Sequence, residues 1–196
     1  LGADVFHVNQ TPFFLTQSYR IVFYTVQSMS DNKKPRLLDA LTQAVKIYTS
    51  NGFRVRTCFA DGAFECLQNE LPGVRIDTCG SSAHVGFIER AIRTVKERIR
   101  AVRAGLPYHH LPRKITREIM RFVVMWLNAF PTKSGVSERL SPREIVLRHK
   151  LDFAKHCRAP FGSYCETHEE PTPTNGMKAR SIPAIVLGPT GNLQGT

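Results

Sequence analysis

The sequence predicts an α/β protein in which a mixed five-stranded sheet is flanked by helices and followed by a small β extension. Three observations predict this class. The first 29 residues are rich in β-branched and aromatic side chains, later segments alternate between strand-like runs and helical spacing of apolar residues, and the composition changes after residue 150. We therefore expect a core domain over residues 1–150 and an incomplete β extension over residues 151–196.

Three strands are predicted at the start of the chain: DVFHVN, PFFLTQS and IVFYTVQSM. Turn-prone residues separate them, so an antiparallel meander is expected. A helix should follow, because Pro35 suits a first helical turn and the apolar residues after it recur at helical spacing until Asn51 and Gly52. That helix would return the chain across the sheet.

The middle of the chain predicts two more strands, FRVRTCFAD and VRIDTCG, with a short helix, ECLQNEL, between them. A long amphipathic helix is predicted from His84 to Leu106, because its apolar residues fall on one narrow line of the helix surface. A second, largely buried helix is predicted from Ile115 to Phe130, with a scaffolding role.

Ser141 and Glu144 have the spacing of a capping box, and Pro142 suits the first helical position, so a third helix is expected through about Arg148. Beyond it, FGSYCETH and SIPAIVLGP predict two strands. The segment between them, EEPTPTNGMKAR, has the composition of a disordered loop. These two strands form the predicted extension.

The charge is unevenly distributed along the chain. Lys and Arg number 27 against 16 Asp and Glu, and residues 86–150 alone hold 15 bases and 5 acids. A basic half favours a polyanionic partner, nucleic acid before an anionic membrane, although a basic surface that only serves solubility is the simpler alternative. The longest apolar run, FVVMWL, is too short to span a bilayer, so no membrane partner is expected.

The five cysteines form an odd set without CxxC spacing, which indicates a reducing compartment such as the cytosol or nucleus. Cys157, Cys165 and His168 imitate a zinc arrangement, and His156 could supply a fourth ligand. Strand-like alternation would point Cys165 and His168 to opposite faces, which argues against a metal site there.

The long amphipathic helix carries one acid ahead of a row of bases. Glu89 lies on one flank of the buried line with four basic residues: Arg93, Lys96, Arg100 and Arg103. A solvated basic flank with a glutamate near the helix amino end is the simpler explanation, because that carboxylate interacts well with the helix dipole. The alternative is a site in which Glu89 reaches a metal ion and the bases lie under a phosphate backbone.

Three carboxylates stand where the predicted layout would bring them together: Asp4 on the first strand, Asp61 at the end of the fourth, and Glu89 on the basic helix. This requires the first and fourth strands to be neighbours. Hard oxygen ligands suit Mg²⁺ or Mn²⁺, and two such ions can serve an in-line displacement at phosphorus. An acid at a strand end is more often a turn or cap residue, so spacing alone does not establish a catalytic site.

The segment VGFIERAIRTVKE resembles the NGVVERKNRT-type segment of copia-type retrotransposon integrases, with Gly86, Glu89 and Arg90 at matching places. Other segments are similar in the same order: VFHVNQTPFFLTQS, ADGAFE, WLNAFP, LSPREIV, FGSYCETHE and ARSIPAIVLGPTGN. The resemblance covers nearly the whole chain, and the segment around Glu89 is its most specific part. It implies the RNase H-like fold of polynucleotidyl transferases.

The resemblance also implies a function. Asp4, Asp61 and Glu89 would be the catalytic triad and would hold two Mg²⁺ or Mn²⁺ ions. Five basic residues would bind DNA: Arg90, Arg93, Lys96, Arg100 and Arg103. Integrases of this type trim a DNA 3′ end, join it to target DNA and work as multimers. We therefore expect element and target DNA as partners, a homo-oligomer, and a nuclear location after a cytoplasmic stage.

The chain departs from the family pattern in ways that bear on activity. The segment around Asp61 lacks an asparagine that is usual there, and only 27 residues separate Asp61 from Glu89, so the loop between them should be trimmed. Glu65 is a candidate substitute ligand, although an exposed acid in a first helical turn is the simpler interpretation. The chain starts at Leu1, close to Asp4 and without the His/Cys zinc module of full integrases, so we expect a fragment.

The leading hypothesis is an integrase-like polynucleotidyl transferase. A captured or decayed element that retains only DNA binding is the first alternative, and an RNase H-like nuclease acting on RNA–DNA hybrids is the second. Metal-dependent cleavage would separate the first two hypotheses, and a joined DNA product would separate transfer from hydrolysis.

Overall fold

The computed structural model describes residues 1–78, 85–168, 177 and 179–190. In these ranges five strands form one mixed sheet and two more form a separate antiparallel pair. Helices cover both faces of the larger sheet. The predicted α/β class with a mixed five-stranded sheet is therefore confirmed.

The larger sheet contains β1 to β5, which are Gly2–Val8, Thr11–Gln17, Tyr24–Ser28, Thr57–Phe59 and Arg75–Asp77. The helices α1 to α5 are Lys34–Ser50, Val85–Ala104, Arg113–Ala129, Pro142–Leu147 and Phe153–His156, and a 3₁₀ helix covers Gly62–Leu67. The separate pair contains β6, Tyr164–His168, and β7, Ser181–Ile185. Within the described residues no helix combines the length and apolar character that crossing a membrane requires.

The strand order across the larger sheet is β3-β2-β1-β4-β5. β1, β2 and β3 form the predicted antiparallel meander, whereas β4 runs parallel to both β1 and β5. α1 carries the chain from the edge strand β3 back to β4. The first and fourth strands are thus neighbours, as the predicted carboxylate site requires.

Each face of the sheet has its own apolar core. On one face α2 and α3 pack against alternate residues of β1 and β2, including Phe6 and Leu15. On the other face α1 packs against the residues between them, including Ala3 and Phe14. Because side chains alternate along a strand, Asp4 shares the face of Phe6 and lies on the α2 side of the sheet.

Two boundaries around the sheet differ from the prediction. The strand predicted as FRVRTCFAD is shorter, because only Thr57–Phe59 pairs with its neighbours. The strand predicted as IVFYTVQSM begins only at Tyr24, because Val22 has a positive φ of 60° in the preceding turn. Strand ends depend on partners and turns, which local composition does not specify.

Two short helices also differ from the prediction. The helix predicted as ECLQNEL begins earlier, at Gly62, because the Asp61 carboxylate accepts a hydrogen bond from the Ala63 backbone N–H at 3.2 Å and caps it. α5 is not expected from the apolar pattern. It forms because Asp152 caps it, accepting from the N–H of Ala154 at 3.0 Å.

The predicted capping box at the start of α4 is confirmed. The Ser141 hydroxyl accepts a hydrogen bond from the Glu144 N–H at 3.2 Å, and the Glu144 carboxylate accepts from the Ser141 N–H at 2.9 Å. The Ser141 backbone N–H is the largest cause of a lowered pKa at Glu144, and the Ser141 hydroxyl adds to it.

We expect Ser141→Ala to lower the free energy of unfolding by about 1 kcal/mol, because the first turn of α4 loses its cap. Thr42→Ala is the matched control, since it removes a hydroxyl from the exposed middle of α1, where alanine is a good helix former. Urea denaturation of both variants measures the difference. Equal losses for the two variants would contradict the capping argument.

The β extension packs against the middle of α3 and against the segment that follows α2. The Phe161 ring lies 5.1 Å from the Phe122 ring, and the Tyr108 hydroxyl donates a hydrogen bond to the Gly162 carbonyl at 3.2 Å. The domain boundary at residue 150 stays a prediction. The predicted loop EEPTPTNGMKAR lies mostly outside the described residues, and so does the predicted start of α2 at His84.

Candidate active site: three carboxylates around the central strand

Asp4 and Asp61 lie near each other because β1 and β4 are parallel neighbours. Gly2 of β1 is in register with Phe59 of β4. Asp4 and Asp61 are each two residues further along, so the same register puts their side chains at one level of the sheet. Asp61 has left the strand to cap the 3₁₀ helix and is exposed.

Glu89 approaches this level from α2, whose first turns cross the face of β1. Its neighbour Ile88 is 1% exposed and holds this part of the helix in the core. The Phe87 ring lies directly against the backbone of Gly2, and a Cβ at residue 2 would overlap it. The glycine therefore permits the close approach of α2 to β1. Glu89 itself is exposed, at the margin between this contact and solvent.

The electrostatics of Asp4 show that the three carboxylates interact. Burial is the largest cause that raises the pKa of Asp4 to about 6, and repulsion from the Asp61 and Glu89 carboxylates adds to it. Two groups oppose this shift: the Val5 backbone N–H, which donates to Asp4 Oδ1 at 2.6 Å, and the Lys96 ammonium. At neutral pH the cluster therefore concentrates negative charge that a nearby cation would stabilise.

Lys96 is the basic residue of α2 that interacts with Asp4. It is half-buried, and its Nζ lies 5.4 Å from the centroid of the Phe6 ring. Phe6 follows Asp4 by two residues on the same face of β1, and Lys96 follows Glu89 by two turns of α2. A cation–π contact thus holds the ammonium between the acidic cluster and the basic flank.

The other predicted DNA-binding residues are exposed on α2, but they do not share one surface. Lys96, Arg100 and Arg103 line a cavity of about 300 Å³ beside the β1–β2 turn. Arg93 is exposed on the same flank. Arg90 lines a different cavity across the helix. A strand that contacts all five bases would have to pass over α2.

Glu65 is exposed in the first turn of the 3₁₀ helix, where the simpler interpretation puts it. The zinc-like arrangement of His156, Cys157, Cys165 and His168 lies far along the chain from this site. Cys165 and His168 are three residues apart in β6 and therefore lie on opposite faces of that strand. The buried His156 has its Nδ1 2.8 Å from the Asp152 carbonyl oxygen, within α5.

The chemistry of the three carboxylates fits a hard divalent cation, because oxygen ligands of this kind suit Mg²⁺ or Mn²⁺. Across the described ranges, however, no three His, Cys, Asp or Glu side chains are grouped so that they could hold a metal ion. Repulsion among the carboxylates opposes their convergence, and bound cations would relieve it. The ligand set Asp4, Asp61 and Glu89 stays a prediction.

Comparison with solved structures identifies the type of fold. The chain is similar to the catalytic core domain of BIV integrase, with a TM-score of 0.55 and 18% sequence identity over 75% of this chain and 92% of that one. The chain has an integrase-core fold. The sequence matches no protein-family model and no curated protein. At this level of identity the integrase-core likeness concerns the fold, and the chemistry has to be argued from the site.

Sequence patterns miss several residues around this candidate site. Phe87 looks like an ordinary apolar residue of α2, and Tyr19 looks like part of a turn. A signal is present at Gln17, a long polar side chain at an inward position of β2. These residues line a cavity next to the acidic cluster.

Proposed function

We propose that this chain is a polynucleotidyl transferase of the integrase type, which trims a DNA 3′ end and joins the resulting hydroxyl to a target phosphodiester. The observation that carries the proposal is the register of β1 with β4, which puts Asp4 and Asp61 at one level of the sheet, and repulsion from Asp61 and Glu89 adds to burial in raising the pKa of Asp4. This register lies at the central strand of an integrase-core fold. A carboxyl group whose pKa is raised by burial and by neighbouring charges is typical of functional sites.

The proposed chemistry is two displacements at phosphorus. In the first, a water oxygen forms a bond to phosphorus while the bond to the 3′ oxygen breaks, which frees a 3′ hydroxyl. In the second, that hydroxyl attacks a target phosphodiester, and one phosphorus–oxygen bond forms as another breaks. The number of phosphodiester bonds is unchanged in the joining step, so it needs no nucleoside triphosphate.

Each residue of the site has a role in this proposal. Asp4, Asp61 and Glu89 would hold two Mg²⁺ or Mn²⁺ ions, which supply activation of the attacking oxygen and stabilisation of the leaving oxygen. Lys96 favours the ionised form of Asp4 and is positioned by Phe6. The exposed bases of α2 would contact phosphates and fix the DNA on the site.

The source that we propose is a copia-type element, on the support of the segment VGFIERAIRTVKE around Glu89. Under this proposal the partners are element-end and target DNA, the chain acts as a homo-oligomer, and it works in the nucleus. The net charge of +11, most of it in residues 86–150, suits such a polyanionic partner.

The proposal is tested with a labelled DNA end and unlabelled target DNA in the presence of Mn²⁺ or Mg²⁺. We expect trimmed and joined products, and we expect Glu89→Gln to lower their rate by more than about 100-fold, because a proposed ligand loses its charge. DNA affinity measured without metal should not change.

Glu97→Gln is the matched control, since Glu97 is an exposed acid two turns further along α2. It should retain the wild-type rate. Equal rates for Glu89→Gln and the wild-type protein would remove the proposed active site, and cleavage without any joined product would favour a nuclease.

A DNA-binding module without catalysis is the second candidate. It is favoured by the finding that no three potential ligands are grouped around a metal position among the described residues, and by the altered segment around Asp61. This candidate requires DNA affinity that falls steeply with salt, as counterion release demands, and no cleavage with either metal.

A further inference from the structure

A second cavity lies beside the acidic cluster, on the far side of Phe87. Its volume is about 720 Å³, which is in the range of small-ligand sites. It is open to solvent and is lined by the corner between β2 and β3, the first half of α2, and residues 132 and 134–136 after α3. The proposed transferase chemistry at the acidic cluster does not use this cavity.

The floor of the cavity is a row of residues across three strands. Gly2, Gln17 and Tyr24 lie opposite one another in β1, β2 and β3, and therefore on one face of the sheet. Gln17 and Tyr24 line the cavity and are 8% and 7% exposed. Phe87 covers Gly2 and forms the wall on the side of the acidic cluster.

The polar side chains of this floor are those of Gln17 and Tyr24. Among the described residues, neither the Gln17 carboxamide nor the Tyr24 hydroxyl makes a hydrogen bond. The Thr132 hydroxyl, which also lines the cavity, is buried and equally unpartnered within the described residues. Buried polar groups are normally paired, because an unpaired one costs free energy. Thr132 supplies one such group, and the Gln17 carboxamide and Tyr24 hydroxyl add further polar groups free to bind a ligand with donors and acceptors.

The rim of the cavity is aromatic and basic. Tyr19 is 66% exposed, and its ring contacts the Phe87 ring edge to face, with centroids 5.4 Å apart. The remaining surface of the Tyr19 ring is open to a stacking partner. Arg20 and Arg90 are exposed and line the same cavity from β2–β3 and from α2. The rim therefore offers one flat apolar surface and two positive charges.

We infer that this cavity binds an unpaired nucleobase of the DNA end, with its phosphate on Arg20 and Arg90. The base stacks on Tyr19. Its edge forms hydrogen bonds with the Gln17 carboxamide, whose NH₂ group donates and whose oxygen accepts. A base edge offers the complementary groups, whereas an aliphatic ligand would leave the floor unpaired.

The inference rests on the proposed function, because it names the form of DNA that the same site accepts. Gly2, under Phe87, and Asp4 are two residues apart on one strand face, about 7 Å along β1. A base in the cavity and the next phosphodiester at the carboxylates are therefore neighbours along one strand. The substrate would be a DNA end with at least one unpaired nucleotide, and not a blunt duplex.

Binding is measured by fluorescence anisotropy in EDTA, which keeps the test independent of catalysis. The probes are a labelled blunt duplex and the same duplex with a short overhang, on the 3′ or the 5′ strand. We expect the wild-type protein to prefer one overhang. Tyr19→Ala should weaken that complex about 5- to 100-fold while blunt-duplex affinity stays within about twofold, because one stacked base is lost.

Tyr164→Ala is the matched control, because Tyr164 is also 66% exposed but lies in β6. It should leave both affinities unchanged. Gln17→Leu should reduce discrimination among bases in the overhang without changing blunt-duplex affinity. Photocrosslinking of a halogenated pyrimidine in the overhang should modify Tyr19 or Phe87, identified by mass spectrometry.

Equal affinity for blunt and overhang DNA, or an equal loss of both in Tyr19→Ala, overturns the nucleobase site. This outcome is distinguishable from failure of the proposed function. Overhang binding that depends on Tyr19, without any cleavage, supports the cavity and removes only the transferase. Joined products with no preference for an overhang remove only the cavity.

Discussion

Asp4→Asn is expected to abolish metal-dependent trimming and joining and yet to raise the thermal midpoint of the metal-free protein at pH 7.5. The first effect follows from loss of a proposed ligand on the central strand. The second follows from the pKa of Asp4, which burial and the neighbouring carboxylates raise to about 6. At pH 7.5 the folded protein must hold a partly buried charge next to two others, and asparagine removes it.

The pH dependence has a definite sign. An aspartate in the unfolded chain ionises near its ordinary pKa of about 4, whereas Asp4 in the folded protein stays protonated until about pH 6. The folded state binds more protons in this window, so the wild-type protein loses stability as pH rises from about 4 to about 6 and stays lower above it. The advantage of Asp4→Asn should be absent below about pH 4 and complete above about pH 6.

The size of this advantage is about 1–2 kcal/mol, since Asp4 is only partly buried and solvent screens the repulsion. Calorimetry in EDTA at pH 4 and pH 7.5 measures it. Asp39→Asn, which changes an exposed acid of α1, is the control and should shift neither midpoint. Addition of Mn²⁺ at pH 7.5 should stabilise the wild-type protein and not Asp4→Asn. Identical pH profiles for the two proteins would refute this account of Asp4.

Asn128→Ala is expected to lower the free energy of unfolding by about 2–5 kcal/mol. Asn128 of α3 is 5% exposed, its Oδ1 accepts a hydrogen bond from the Tyr24 N–H at 2.8 Å, and its Nδ2 donates to the Tyr24 carbonyl at 2.8 Å. β3 is the edge strand, so these two bonds replace the missing neighbour strand. Alanine would leave both backbone groups buried without partners.

Urea denaturation measures the loss. Asn128→Asp keeps the acceptor but sets a buried carboxylate oxygen against the Tyr24 carbonyl, so a loss at least as large as that of alanine is expected. Gln43→Ala is the matched control, because the Gln43 amide donates only to the exposed Asp39 carboxylate one turn away, and it should cost less than about 0.5 kcal/mol. A loss below that value for Asn128→Ala would show that water replaces the side chain at β3.

Asn128 also connects stability to the second cavity. It holds the backbone of Tyr24, whose side chain forms part of the cavity floor beside Gln17. The helix α3 thus positions an edge strand by polar contacts as well as by the apolar core. This coupling is invisible in the sequence, because 104 residues separate the two partners.

The long helices and α4 could be predicted closely, because their signals are local. The apolar line of α2 depends on residues three or four apart, and the capping box of α4 depends on Ser141 and Glu144. Strand limits were less predictable. β4 is short because only Thr57–Phe59 finds partners, and composition does not reveal where pairing stops.

For the candidate site, too, the sequence predicted one part and tertiary packing decided the other. Asp4, Asp61 and Glu89 could be named from their places at strand ends and on the basic flank, with the resemblance around Glu89 selecting them. From the sequence, we could state only that the carboxylate site requires β1 and β4 to be neighbours. The register Gly2 with Phe59, and the approach that Gly2 allows to Phe87, come from packing.

Residue order alone is therefore enough for the helical faces, the capping box of α4 and the basic half of the chain, since each depends on side-chain type and short spacing. Folding adds the raised pKa of Asp4, the position of Lys96 over Phe6, and the row formed by Gly2, Gln17 and Tyr24. The physical reason is that burial, charge coupling and cross-strand alignment arise only when distant segments share one sheet.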